Sequence, residues 1–327
     1  MKAYNGFDKD LKCRGFQYKL GREYQETEAS LCREGVHACE NPLDTFRYYP
    51  PTDSRYCEVE IADNGQRNSD DSKVCGEKIK IGAEIGLDGV IKAGAQFIFE
   101  MCKGSSEDHA SGEGGNAAAS GDRGNAAASG ERGNAAASGD SGNAAASGDS
   151  GNAAASGNRC NAAASGWRGN AAASGWRGNA AASGERGNAA ASGEGGNAAA
   201  SGWRGNAAAS GDRGNAAASG WSGNAAASGN RGNAAASGDS GNAAASGWRG
   251  TATVTGQYGG AKALGNDCLA TAWGPESKAM GKAGNWLVLS EHKCGAIVDA
   301  RLVRVDGEII KSDTWYVLRN GKIVEAE

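Results

Sequence analysis

Residues able to do chemistry are few in this chain. It has three histidines, His37, His109 and His292, and nine cysteines. His37 and Cys39 lie two apart, with Cys13, Cys32 and Cys57 in the same N-terminal third. An imidazole beside a thiol is the pairing that activates a cysteine nucleophile, and residues two apart share one face of a strand. No orienting group accompanies the pair at a recognisable spacing. Zinc sites favour Cys-x-x-Cys, which is missing here. We therefore expect buried thiols and a hydrogen-bonded imidazole: no catalytic residue, no metal and no cofactor. Nine is an odd number of cysteines, and they lack disulfide-like spacing, so reduced thiols are expected.

The second chemical set consists of tryptophans paired with arginine: Trp167-Arg168, Trp176-Arg177, Trp203-Arg204, Trp221 and Trp248-Arg249. Trp beside Arg stacks on bases or sugars. What positions them is a repeat. From Gly115 to Arg249 the unit Gly-Asn-Ala-Ala-Ala-Ser-Gly-x-x recurs fifteen times, broken at a fixed position only by Cys160, and only positions eight and nine vary. Every one of these Trp residues stands at position eight.

Drifted copies from 250 to 285 show what each position tolerates. Position three stays Ala, at Ala252, Ala261, Ala270 and Ala279, while positions two, four and six accept Lys, Leu, Trp, Met and Thr. Side chains alternate across a strand. Positions three and five, such as Ala117 and Ala119 or Ala126 and Ala128, must then face a narrow interior, with two, four and six outward. A helix would lose about 2 kcal/mol per unit to its two glycines, and a flexible Gly/Ala/Ser linker has no reason to hold a nine-residue frame. The remaining architecture is a two-sided β-solenoid with two nonapeptides per coil, Asn-Ala-Ala-Ala-Ser as strand and Gly-x-x-Gly as turn, both glycines free to take positive φ. It is similar to the calcium-binding β-roll but lacks that motif's Gly-Gly-x-Gly-x-Asp, so no calcium array is expected. Trp203 and Trp221 fall on one edge in adjacent coils, while Glu185 separates Trp167 from Trp203.

Composition sets the limits. Gly numbers 54 of 327 residues and aromatics only 6%, too few large groups for an ordinary core throughout. The 34 basic and 38 acidic residues give a net charge of −4, which argues against a nucleic-acid track or a membrane-surface protein. No apolar run approaches the roughly 20 residues of a span, and the start lacks a secretory pattern, so a cytoplasmic location is expected.

Residues 1–105 read as an α+β capping domain, 106–285 as the solenoid, with 106–114 an imperfect first unit, and 286–327 as a C-terminal β-meander cap. In the first, 26–35 reads as a short helix stopped by Gly35, Asn41-Pro42 as a helix start, 57–62 and 77–81 as strands, and 87–101 as a helix leading into the solenoid. This domain is expected to blunt the open edge of the first coil. In the last, Asn320-Gly321 and Asp306-Gly307 read as two-residue hairpins. The fold class is thus mainly β.

Several segments carry a resemblance: Cys13-Arg-Gly-Phe-Gln-Tyr18, Gly35-Val-His-Ala-Cys-Glu-Asn-Pro-Leu-Asp44, Tyr48-Tyr49, the repeat array, Ala270-Thr-Ala-Trp-Gly274 and Asp313-Thr-Trp-Tyr316. Together they resemble an uncharacterised family of phage and gut-bacterial repeat proteins. The resemblance implies a phage-encoded origin, including release with virions, and no activity. The expected function is a non-enzymatic scaffold, a rigid rod that displays turn residues to a protein partner or self-associates through its flat faces. Two alternatives are an ice-ordering surface, although Thr ladders are lacking outside 251–255, and a small enzymatic or toxin-like N-terminal domain on a repeat stalk.

Overall fold

The computed structural model describes residues 1–30, 34–67, 71–101, 109–111, 114–120 and 124–326. Two compact units divide the chain, Met1–Ser174 and Gly175–Glu327.

The first unit begins with β1 (Lys2–Asp8), β2 (Lys12–Cys13), β3 (Phe16–Gln17), β4 (Glu23–Gln25) and β5 (Val36–Cys39). After a 3-10 helix, Pro42–Arg47, come β6 (Ser54–Arg67), β7 (Lys73–Glu84) and the helix α1 (Gly86–Met101). The sheet order is β4-β7-β5-β1-β6, and an additional β6–β7 pairing closes it into a ring. Inward apolar residues of β1, β5, β6 and β7 fill it, among them Phe7, Val36, Val59, Ile61, Ile79 and Ile81. Asn41 caps the 3-10 helix by accepting from the Leu43 N–H at 3.1 Å. Gly94 of α1 lets the two helices approach, since a Cβ there would lie 2.5 Å from Leu43 Cγ.

No helix forms over the described part of 26–35: β4 is followed by irregular chain and a Ser30–Glu34 antiparallel bridge, with Cys32 outside the described residues. The Gly35 φ of +82° belongs to this turn. Glu26 N–H donates to Glu77 O, so the segment's backbone is satisfied by β7 rather than by helical bonds.

β8 (His109–Ser111) lies within the imperfect first unit, much of which is outside the described residues. From there each repeat gives one strand: β9 (Asn116–Ser120) to β20 (Asn215–Ser219), five residues each at nine-residue steps, then β21 (Asn224–Ala227), β22 (Asn233–Ala236) and β23 (Asn242–Ala245). The drifted copies continue as β24 (Thr251–Val254), β25 (Gly260–Ala263), β26 (Leu269–Ala272) and β27 (Lys278–Gly281). Within each unit a strand pairs in parallel with the one eighteen residues on, as in Asn134↔Asn152 and Asn197↔Asn215. This is β-solenoid with two nonapeptides per turn, about ten turns over residues 116–289.

Positions three and five face inward: Ala117, Ala119, Ala126 and Ala128 are all buried, as are their counterparts along the array. Position one also faces in. Cys160 is fully buried there, its Sγ 3.3 Å from Ala155 O and 3.2 Å from Ser174 O. Cys268 and Ser277 repeat the arrangement, reaching Gly247 O at 2.9 Å and Gly256 O at 2.7 Å.

The glycine pattern differs from expectation in one respect. Position-seven glycines from Gly130 to Gly211 take φ of 124 to 147°, but position-one glycines do not take positive φ. At 211–213 positions seven and nine both take positive φ, and in later coils only position nine does, at Arg231, Ser240 and Arg249 (57°). The turn's bonding reverses with it: Arg168 N–H donates back to Asp149 O, whereas Arg231 N–H donates forward to Trp248 O. Position seven remains glycine in both forms because a Cβ at Gly202 would lie 1.8 Å from Gly184 O, and one at Gly238 1.8 Å from Gly220 O.

In the first unit α1 lies against β9, β11, β13 and β15, and the 3-10 helix meets β15. Arg47 donates to Ser150 O at 3.2 Å, and Asn152 Nδ2 approaches Asp44 Oδ1 at 3.4 Å. On this side the outward alanines Ala136, Ala154 and Ala172 are buried, whereas Ala145 and Ala163 of the opposite sheet stay exposed.

The second unit ends with β28 (Trp286–Lys293), β29 (Ala296–Arg304), β30 (Tyr316–Arg319) and β31 (Lys322–Glu325). Trp286 pairs with Leu269, one residue short of the eighteen-residue step, which puts Asn285 at position one. Its side chain donates to Ala263 O and Gly265 O at 2.8 and 2.7 Å. Leu287 and Leu289 replace the inward alanines and are fully buried. Asn320-Gly321 forms the expected hairpin, with both φ positive. Asp306-Gly307 does not. Asp306 Oδ1 instead accepts from the N–H groups of Glu308, Ile309 and Ile310, each at 2.9 Å, making a side-chain-stabilised turn. The second hairpin is at Cys294-Gly295, between β28 and β29.

Candidate turn surface and N-terminal pocket

The solenoid places every position-eight Trp on an exposed turn: Trp167, Trp176, Trp203, Trp221 and Trp248 are 42 to 56% exposed. In the second unit Trp203 and Trp221 stack with centroids 5.7 Å apart and planes at 19°. The Arg177 guanidinium lies 5.3 Å from the Trp176 ring, and Arg249 lies 4.2 Å from Trp248. Trp248 Nε1 also donates to Asp267 Oδ2 at 3.0 Å. Arg204 is exposed, and in the first unit Arg168 beside Trp167 is half-buried.

Sequence-distant thiols and His37 meet in the N-terminal domain. A cavity of about 420 Å³ is lined by Cys13, His37 and Cys39, while Cys57 belongs to the apolar core instead. Cys39 and Cys57 are poor nucleophiles: burial, with Asp44 and Asp71 nearby, pushes Cys39 well up, and burial raises Cys57 to about 11. Half-buried His37 is held below its ordinary value by desolvation and by the cations Lys73 and Arg14, although hydrogen bonds to the Ser30 and Gly35 backbone oppose this. It is neutral at pH 7.

The aromatic wall of the cavity carries no signal in residue type and spacing alone. Phe16 packs edge-on to Tyr18 and Tyr24, at 4.9 and 5.6 Å. Tyr18, raised to about 12 by burial, lines the cavity with Tyr48 and Tyr49. Lys73 stands 4.3 Å from the Tyr48 ring centroid, and Tyr48 donates to Asp71. One signal was present in sequence: the segments 13–18, 35–39 and 48–49 that carry the family resemblance all reach this cavity.

A further pair arises only in three dimensions. Ser290 Oγ lies 3.1 Å from His292 Nε2. The same nitrogen is 2.9 Å from the carbonyl of Trp273. A nitrogen that donates to a carbonyl carries the proton and cannot accept one from serine, so this pair serves the fold. His109 lies in β8, with its side chain outside the described residues. Among the described residues no group of three His, Cys, Asp or Glu is placed to hold a metal ion, and no helix is long and apolar enough to cross a membrane.

Among known proteins, no curated sequence and no solved structure matches the chain. Residues 1–93, the segment that builds the cavity, match a family described as a domain of unknown function (DUF7666).

Proposed function

We propose that this protein is a non-enzymatic scaffold whose solenoid carries a display of turn residues to a binding partner. The observation that carries this reading is the division of labour in the repeat. Inward alanines and position-seven glycines are held by contact and close approach, while in the fifteen regular copies, Cys160 apart, variation sits at two turn positions whose Trp side chains are exposed. Variable turns on a fixed framework suit recognition. The raised cysteines of the N-terminal domain fit a role without thiolate chemistry. The sequence resemblance supports a phage or gut-bacterial setting. In the first unit the face open to lateral self-association is that of Ala145 and Ala163, because α1 occupies the opposite one.

The test replaces Trp167, Trp176, Trp203, Trp221 and Trp248 together by Ser. Melting within a few degrees of the parent, with loss of the proteins cross-linked to the parent in its native source, is the expected result. Unfolding of the variant, or an unchanged cross-linking pattern, overturns the reading. An active N-terminal domain is the second reading, favoured by His37 lining an open cavity.

A further inference from the structure

We propose that the N-terminal cavity binds a small planar aromatic anion, a ring joined to a phosphate or carboxylate. Its volume of about 420 Å³ falls within the range of small-molecule sites, roughly 300–1,000 Å³. The walls supply both halves of the required chemistry. Phe16, Tyr18 and Tyr49 line it with ring surface, over an apolar base that includes Val36 and Ile79. Aromatic walls take a flat ring by stacking, independent of its hydrogen-bonding pattern.

Arg14 and Lys73 also line the cavity, and both depress the protonation of His37. One group thus feels two cations from different elements, the β2–β3 hairpin and β7. Glu26 is the single carboxylate on the lining itself, while Asp44 and Asp71 stand behind Cys39 and Tyr48, so the cationic groups presented to a ligand are Arg14 and Lys73. Arg14 gives that anion a planar donor fork. The hairpin is built to hold its tip there: Arg14 and Gly15 have φ of +50 and +81° between the paired residues Cys13 and Phe16, the two-residue geometry that matches strand twist. Phe16 is 52% exposed at this tip, an arrangement that leaves its ring available at the cavity's edge.

Convergence strengthens the case. Segments 13–18, 35–39 and 48–49 are distant in sequence, yet each contributes side chains to this one space. A core needs apolar residues from such segments; it does not need an arginine, a neutral imidazole and three tyrosines around a void. Neutral His37 adds a hydrogen-bonding group without contributing charge.

The experiment uses the full chain and four probes followed by saturation-transfer NMR and calorimetry: AMP, benzoate, adenosine and inorganic phosphate. AMP or benzoate should bind with Kd below about 1 mM, and the one that does identifies phosphate or carboxylate as the anionic group. Adenosine and inorganic phosphate should each bind at least about tenfold more weakly than AMP if phosphate is the group. Arg14→Gln should weaken the preferred probe about tenfold, and Phe16→Ala should weaken it similarly, each in a variant whose circular dichroism shows it folded, with the loss of the Phe16 contacts to Tyr18 and Tyr24 read separately as a small drop in melting midpoint. Failure of both AMP and benzoate to bind overturns the proposal. So does an unchanged Kd in Arg14→Gln. Neither result bears on the turn surface of the solenoid.

Discussion

Glycine at position seven is set by contact as well as, at Gly202, by a φ of +141°. Its missing Cβ makes room for the carbonyl of the coil before it, only 1.8 Å from where the Cβ of Gly202 would stand. Gly202→Ala should therefore destabilise the second unit by about 3 kcal/mol or more, read as a drop in thermal midpoint, whereas Ser219→Ala on the exposed face should change little. His37 gives a second residue-scale expectation. Its folded value lies below the ordinary 6.5, so the unfolded chain takes up the proton first as pH falls. Stability linked to His37 is fully present above pH 6.5 and declines on acidification. Denaturant titrations should show His37→Gln losing less stability than the parent below that pH, and the imidazole should titrate low by NMR.

At the scale of strands, hydrogen bonds between coils and methyl contacts inside them share the work. Asn215 donates to Asn197 and accepts from Asn233, both at 2.9 Å, in a column of stacked amides. Asn215→Ala breaks both bonds on a wet face and should cost about 1 kcal/mol, measured by thermal or chemical unfolding. The interior is less forgiving. Ala171 and Ala173 are fully buried, and replacing both by Leu should lower stability by several kcal/mol, about 1–3 for each overpacked site. Melting unchanged by that double substitution would remove the alanine interior from consideration. Larger inward side chains enter only in the drifted copies, as Val254 does in β24 and Leu287 and Leu289 do in β28.

Over the molecule the period that matters is eighteen residues, not nine. Consecutive repeats alternate between two sheets, and the C-terminal strands are committed: β28 follows β26, while β30 follows β27. Deleting 214–231 removes two repeats and restores every register, so circular dichroism and the melting midpoint should stay close to the parent. Deleting only 214–222 exchanges the two sheets beyond the cut. That variant should melt at least about 5 °C lower or lose its single cooperative transition.

Much of this was legible in order of sequence because the repeat is local and periodic. Alternation fixed which alanines face inward, the two-unit coil followed from the nine-residue frame, and Trp203 and Trp221 met as adjacent turn residues. Local chemistry also announced the Asn41 cap and the Asn320-Gly321 hairpin. Residues 26–35 misled because helix-forming composition was overridden by backbone pairing to β7 and a bridge at Ser30. Asp306-Gly307 misled because one carboxylate captured three backbone N–H groups and so favoured a turn. The cavity lay beyond sequence reasoning altogether. Period and pattern act between neighbours in the chain, but the walls of a pocket come from Arg14, His37, Tyr49 and Lys73 on separate elements, and only closure of the sheet brings those within reach of one ligand.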